Sequence, residues 1–430
     1  MSDDRRTLHI DAVHKQISRR TIIKGISTVA LAGISITGCN AQEGQSTRSS
    51  STSSAPLQPR QPPSTATSYA MFRGNPYHSG LNTTEHFIST ANVSQLELAW
   101  TFPAQDSIDS SPAIANSIVY FGSDDGNLYA VDAKTGEQRW SYTTEDSISS
   151  SPAIVNGIVY VGSRDKKLYA IDAISGKQRW ATPTNAFLKA SPTVVNDIVY
   201  ILSGIDQRGD VYAFDAGTGK ILWKTYTGGS AASSPAVANG IVYIGSMDGR
   251  IHALDALTGA IHWTSDTTGS YIASSPAIAK GMVYVGSDSG QMVAFDVRTG
   301  HIRWSIDPLM STLNNDAYSA IYSSPAVAGE FVYIGAVDNK LYALDATSGK
   351  IRWATEPTGS FIASSPLVAN SIVYVGSYDG KLYAFDAVTG QTLWISPSTV
   401  KPIYSSPTAA NGMIYVGSES GKLSAFQLPH

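Results

Sequence analysis

From Trp100 onward the chain alternates short apolar runs with small polar punctuation, and within each run the apolar positions recur every second residue. In one stretch, SSPAIV, IVYVGS, KLYAID and KQRWAT follow one another, separated by NG, RDK and AISG. Runs rich in β-branched and aromatic residues, joined by Asn-Gly or Gly-bearing connections of two to four residues, predict strands linked by hairpin turns. Each unit of about forty residues thus predicts four short antiparallel strands.

The unit then recurs. AVDAKTGEQRW at Ala130–Trp140 returns, with Ala, Asp, Gly and Trp in register, at Ala170–Trp180, Ala213–Trp223, Ala253–Trp263, Ala294–Trp304, Ala343–Trp353 and Ala384–Trp394. The eight tryptophans, Trp100 and the seven that end these strings, stand at intervals of 40, 40, 43, 40, 41, 49 and 41. Ser-Pro pairs occur eight times, ending at Pro112, Pro152, Pro192, Pro235, Pro276, Pro325, Pro366 and Pro407, each followed by a strand tyrosine. Periods near forty belong to propellers and to helical arrays, and four strands per unit select the propeller. The expectation is an all-β, eight-bladed β-propeller of four-stranded antiparallel blades. The chain enters on a last-strand segment, LELAW, and stops at KLSAFQL without one. The N-terminal strand should therefore complete the last blade and close the ring.

Positions that are the same in every blade serve the fold, so a site must use positions at which blades differ. Asp132, Asp172 and Asp215 of the repeated string border tight turns, where Asp bonds local amides, and seven copies argue against catalysis. The loops before the Ser-Pro strands and the GSxDG-type loops share one face, and that face varies. Three residues before each proline stand Asp109, Ser149, Lys189, Ala232, Ala273, Tyr322, Ala363 and Tyr404; on the same side lie Ser107, Ser147, Phe187, Ser230, Tyr271, Ala320, Phe361 and Pro402. Ile108, Ile148, Leu188, Ile272, Ile321, Ile362 and Ile403 should point the other way, into the packing. The channel mouth should then have an aromatic half in blades five to eight and an acidic spot at Asp106, Asp109 and Asp146. The longest irregularity, Ser305–Tyr322, lengthens a loop of this face, and a smaller one, Ser203–Asp210, interrupts blade three. The binding-face candidates are Asp109, Lys189, Tyr271, Tyr318, Tyr322, Phe361 and Tyr404.

Composition narrows the chemistry. The chain is 42% apolar and 15% charged with net charge −4. Its first 38 residues carry six basic and three acidic side chains, so without them the charge is −7, the opposite of a nucleic-acid footprint. A single cysteine, Cys39, excludes an internal disulfide framework, a thiol-rich metal site and c-type haem attachment. The histidines show no metal-ligand spacing, and no GxSxG, Walker-type or Cys-His arrangement appears, so no catalytic or metal residue is assigned.

Residues 1–38 form an address. SRRTIIK, with Arg19 and Arg20, resembles the bacterial twin-arginine export signal, and ITGC at Ile36–Cys39 resembles the lipobox of lipoproteins. That resemblance implies cleavage before Cys39, a diacylglycerol on its sulfur, and an extracytoplasmic protein anchored to a bacterial membrane. Residues 39–68, dominated by Ser, Thr, Gln and Pro, predict a disordered tether, and 69–430 the propeller.

AxDxxTGxxxW resembles the tryptophan-docking motif of propellers related to pyrroloquinoline quinone (PQQ) enzymes, over residues 100–430. The resemblance implies that each Trp packs against the Ala of its own blade and the Gly turn of a neighbour. FRGNPYHSGLN, Phe72–Asn82, resembles the segment before the first blade in that family and implies a plug or clasp. Three functions are compatible. A PQQ-dependent alcohol or sugar dehydrogenase would need a stacking floor, basic partners for the quinone carboxylates and Ca²⁺ ligands. In the family the floor is a Trp and the roof an adjacent-cysteine disulfide, but here every Trp is used in docking and Cys39 is the only cysteine. Bare-bladed lipoproteins of the BamB type, which bind the outer-membrane β-barrel assembly machinery, fit better, although the twin-arginine signal departs from their pattern. Carbohydrate binding by the aromatic half is the third. The expectation is a monomeric, non-enzymatic scaffold that binds an envelope or surface protein, with no cofactor; PQQ with calcium belongs to the dehydrogenase alternative.

Overall fold

Strands of two to eight residues follow one another through the computed structural model, which describes residues 69–205, 208–229, 233–307 and 320–429. The signal at 1–38 with Arg19 and Arg20, Cys39 and the tether at 39–68 lie outside the described residues. Blade one consists of Ala113–Ala115, Ile118–Gly122, Asn127–Asp132 and Gln138–Thr143, from hub to rim. The same antiparallel order repeats to give eight sheets. Glu97–Pro103 supplies the outer strand of blade eight, with Trp100 opposite Ala425, so the two ends of the chain close the ring as the strand order predicts. In blade three the insertion lengthens a hairpin: Ile198–Ile205 and Arg208–Asp215 stay paired out to Ile205 and Arg208.

The tryptophans are wedges between sheets. Trp140 lies opposite Ala130 of its own blade, and Trp223 opposite Ala213. A Cβ on Gly176 would come within 2.8 Å of the Trp140 ring, and one on Gly259 within 2.5 Å of Trp223. Both glycines have φ near +70°, so the turn needs glycine for its backbone as well as for the space. The structure adds a polar clamp that the motif does not announce. The indole N–H of Trp140, Trp180 and Trp223 donates to the carbonyl oxygen of Ala173, Ala216 and Ala256 in the next blade, each at 3.0 Å. Tyr120, Tyr160 and Tyr200 donate their hydroxyls to the same three oxygens. Burial of one indole contributes about 5 kcal/mol as an upper bound. The eighth interface departs: Trp394 donates to Leu96 O and packs edge-on against Phe426, because the N-terminal segment stands where a neighbour's turn would be. The motif aspartates act locally, Asp132 Oδ1 accepting from the amides of Lys134 and Thr135.

A second belt encircles the hub. The amide of Ser111 donates to Ser151 Oγ, Ser151 to Ser191, Ser191 to Ser234, Ser234 to Ser275, Ser275 to Ser324, Ser324 to Ser365, Ser365 to Ser406, and Ser406 back to Ser111. All these serines are buried, so the Ser of each Ser-Pro pair satisfies an amide of the preceding blade. Ser191→Ala orphans the Ser151 amide and is expected to cost about 1–3 kcal/mol in urea denaturation; a change under a few tenths would show that the belt carries no stability.

The segment before the ring threads the hub. Carbonyls of Tyr69, Ala70, Pro76, Tyr77, Ser79 and Gly80 accept from Ile114, Ile154, Val237, Ile278, Val327 and Val368, the middle residues of six inner strands. His78 reaches Thr193 in blade three and Asn82 donates to Ala409 O in blade eight, so the segment engages every blade. Leu81–Asn82 also adds a short parallel strand inside blade seven, making that sheet five-stranded. Arg73 is buried, and its guanidinium donates to Pro325 O and Pro366 O. Burial and the Arg73 charge push His78 down to about 3, so its imidazole is neutral. Glu85 Oε2 then accepts from the Gly412 amide in a turn of blade eight, and Asn370 in the corresponding turn of blade seven donates to Ile88 O. The expected plug is therefore a clasp over the end of the hub where these turns lie.

Candidate binding face

The opposite end is built from two loops per blade. Ile108, Ile148, Leu188, Ile272, Ile321, Ile362 and Ile403 are at most 1% exposed, so the segment leading to each Ser-Pro pair, which is not part of the inner strand, directs its intervening residue into the packing. Their flanking residues are left at the mouth. Asp109, Tyr322, Phe361 and Tyr404 are part-exposed there, while Lys189 and Tyr271 are exposed. Ser107, Ser147 and Ala320 are buried instead, and Ser230, Ala232 and Tyr318 lie outside the described residues.

A second ring, which comparison within the first segment misses, comes from the residue after Gly-Ser in the second loop. Asp124, Arg164, Met247, Asp288, Tyr378 and Glu419 occupy this register in six blades. The loops are tied together through backbone bonds, with the amides of Asp124, Arg164, Asp288, Tyr378 and Glu419 donating to the carbonyls of Ser107, Ser147, Tyr271, Phe361 and Pro402. Blade-to-blade variation at this one position is the signal that could have found the ring.

The two rings meet as pairs. In the aromatic half, Phe361 and Tyr378 stack with centroids 3.9 Å apart, and Tyr378 meets Tyr404 edge-on at 4.8 Å with their hydroxyls bonded. Burial and that bond push the Tyr404 phenol well above its ordinary range. Tyr271 stands at the mouth of blade five, and the Asp288 carboxyl beside it is pushed up to about 6 by burial. In the other half, the Arg164 guanidinium lies 5.5 Å from the centroid of Phe187. Desolvation, followed by the nearby Arg164 charge, holds Lys189 below the usual lysine range.

Two carboxylates of the expected acidic spot also serve their own loops. Asp106 and Asp146 are exposed, and each accepts from the amide of the following serine at 2.7 Å, which turns the carboxylate into a loop cap. A shallow pocket of about 120 Å³ between blades one and two is lined by Asp124, Asp125, Glu145 and Asp146, among others. Among the described residues no group of three His, Cys, Asp or Glu side chains could hold a metal ion.

A family described as outer membrane protein assembly factor BamB matches the chain over residues 11–142, 86–204, 207–317 and 310–429. No curated protein matches it in sequence. Similar solved structures include the quinohemoprotein alcohol dehydrogenase ADHIIG of Pseudomonas putida HK5, at 19% identity and TM-score 0.73 over 84% of this chain and 80% of that one. BamB of Moraxella catarrhalis is similar at 23% identity and TM-score 0.65 over 78% and 98%. The computationally designed Ika8 protein is similar at 18% identity and TM-score 0.66 over 76% and 97%. A dehydrogenase, an assembly factor and a designed chain share these blades, so the likeness shows the fold and leaves the chemistry to the side chains.

Proposed function

The chain belongs to the family described as outer membrane protein assembly factor BamB, and from that premise we propose that it is a non-enzymatic scaffold that binds an envelope or surface protein through its variable face. One observation carries this proposal. The N-terminal clasp covers one end of the hub, whereas at the other end Tyr271, Lys189 and the Phe361–Tyr378–Tyr404 cluster break the eightfold pattern at solvent-accessible positions. Fixed aromatic anchors and uneven charge on a rigid ring suit recognition of a protein surface. The signal and Cys39 extend the proposal to an extracytoplasmic protein held at a bacterial membrane by lipid and acting as a monomer.

The placement of the tryptophans argues against a quinone at the hub. Trp100, Trp140, Trp180, Trp223, Trp304 and Trp394 each bond a carbonyl across a blade interface, and Trp263 and Trp353 pack against Gly300 and Gly390. None remains to floor a tricyclic ring at the hub. The aromatic half is no open platform either, since Phe361 and Tyr378 cover each other's faces.

The test places a photo-crosslinking amino acid at Tyr271 and, separately, at Thr218 in a turn of the opposite face, in the source cells. A discrete protein adduct from Tyr271 and none from Thr218 is expected. Replacing Tyr322 and Tyr404 together by alanine should lower the Tyr271 adduct roughly tenfold or more and leave Tm nearly unchanged. No discrete adduct from Tyr271, or the same adduct from both faces, contradicts the proposal; a large fall in Tm would place the two tyrosines in the core.

A further inference from the structure

Three basic side chains gather at the mouth of blades two and three. Arg164 and Lys166 both approach the Phe187 ring, at 5.5 and 5.7 Å from its centroid, and Lys189 follows Phe187 two residues later in the same segment. Among the described residues no carboxylate lies within 4 Å of any of the three cations. The adjacent carboxylate, Asp165, is occupied by its own loop: it accepts from Tyr169 Oη and from the amides of Glu145 and Lys167. Arg164 Nε is buried and has no hydrogen-bond partner. A desolvated guanidinium N–H without an acceptor is costly, and a carboxylate is the group whose fork matches it.

The backbone supplies an independent observation. Lys166 has φ +72°. The corresponding positions in other blades are Gly126, Gly249, Gly290, Gly380 and Gly421, all at positive φ, and Asn339. Among the seven blades described at this position, blade two alone puts a long cationic side chain where left-handed geometry favours glycine, at a cost in backbone strain. Strain kept there, beside a desolvated arginine, marks a position held for something other than folding.

We propose that Arg164, Lys166 and Lys189 around Phe187 form the subsite that receives an acidic segment of the partner protein, its carboxylates meeting the cations and its stem lying on the ring. This rests on the proposal that the variable face is the binding face, and it names the chemistry of what binds there. Arginine and lysine around an aromatic ring recognise carboxylates through forked hydrogen bonds and point charge together.

The test uses the purified full chain and a fluorescein-labelled hexaglutamate peptide, read by fluorescence anisotropy across a salt series, with hexalysine as the control. Saturable binding of hexaglutamate that weakens with salt is expected, with none of hexalysine. Lys166→Gly and Arg164→Met should each weaken it by about three- to tenfold. Lys166→Gly installs the residue found at this position in five other blades and should keep or raise Tm, so its loss of binding cannot be ascribed to unfolding. Absence of hexaglutamate binding, or affinity unchanged in both variants, overturns the subsite. So does retention on phosphatidylglycerol vesicles that depends on Lys166 while hexaglutamate fails to bind, since the occupant would then be anionic lipid. If the variants leave the Tyr271 crosslink at full yield, the subsite fails and the binding face stands; if Tyr271 gives no crosslink, the face itself fails whatever hexaglutamate does.

Discussion

Gly259→Ala is expected to destabilise the propeller by about 2–4 kcal/mol, while Gly240→Ala in the same blade costs about 1 kcal/mol. The two glycines have nearly the same backbone, φ +72° and +75°, so a left-handed alanine pays a similar strain of about 1 kcal/mol at each. They differ in what a methyl group would meet. At Gly240 nothing lies within 4 Å, whereas at Gly259 Trp223 Cε3 would lie at 2.5 Å and Trp223 Cδ2 at 2.6 Å. Trp223 is 9% exposed and its N–H is bonded to Ala256 O, so the indole cannot retreat without breaking the clamp. Overpacking of that kind adds about 1–3 kcal/mol. Urea denaturation of both variants isolates the docking contribution from the turn. Equal destabilisation would show that the repeated glycine answers to turn geometry alone and that the indole is not wedged against it.

Joining the ends of the ring covalently should have a larger effect in the opposite direction. Thr101 and Ser424 are direct partners across the seam between the first strand of the ring and the last. Cysteines at both positions would close a loop of about 320 residues, for which loop-closure entropy gives up to about 5–6 kcal/mol, less any strain in the bridge. Thermal melts should show a higher Tm for the oxidised double variant than for the same protein in reductant. With Cys39 replaced by serine, free thiols persisting at positions 101 and 424 under oxidising conditions in the folded protein would contradict the strand pairing that closes the ring.

Blade number, strand order, ring closure and tryptophan docking were legible because each is written many times. Eight Ser-Pro pairs and seven copies of AxDxxTGxxxW make the internal comparison self-checking. The serine belt was written just as often, yet a Ser in every copy reads as turn chemistry until coordinates show its Oγ accepting from the blade before it. The clasp occurs once and has no period, so Phe72–Asn82 could be expected as a plug while its course past every inner strand could not. Trp394 looks like the other tryptophans in sequence; only the entry of Leu96 in place of a turn sets it apart. At the mouth, Asp109, Lys189, Tyr271, Tyr322, Phe361 and Tyr404 were picked out as candidates by variation in two registers of one segment. Tyr378 and Arg164 were missed because they vary in a second loop, brought against the first only by the backbone bonds between the two loops. Asp106 and Asp146 have a local role that the sequence did not announce, each carboxylate accepting from the amide of the buried serine that follows it.

The central proposal is that the eight indoles are committed to the interfaces between blades, leaving no tryptophan to floor a ring compound at the hub and the irregular mouth to protein recognition. Incubating the purified chain with PQQ and Ca²⁺, desalting it, and reading the quinone absorbance of the protein fraction tests that claim most directly. The account predicts no retained quinone; quinone retained at one equivalent per chain would contradict it.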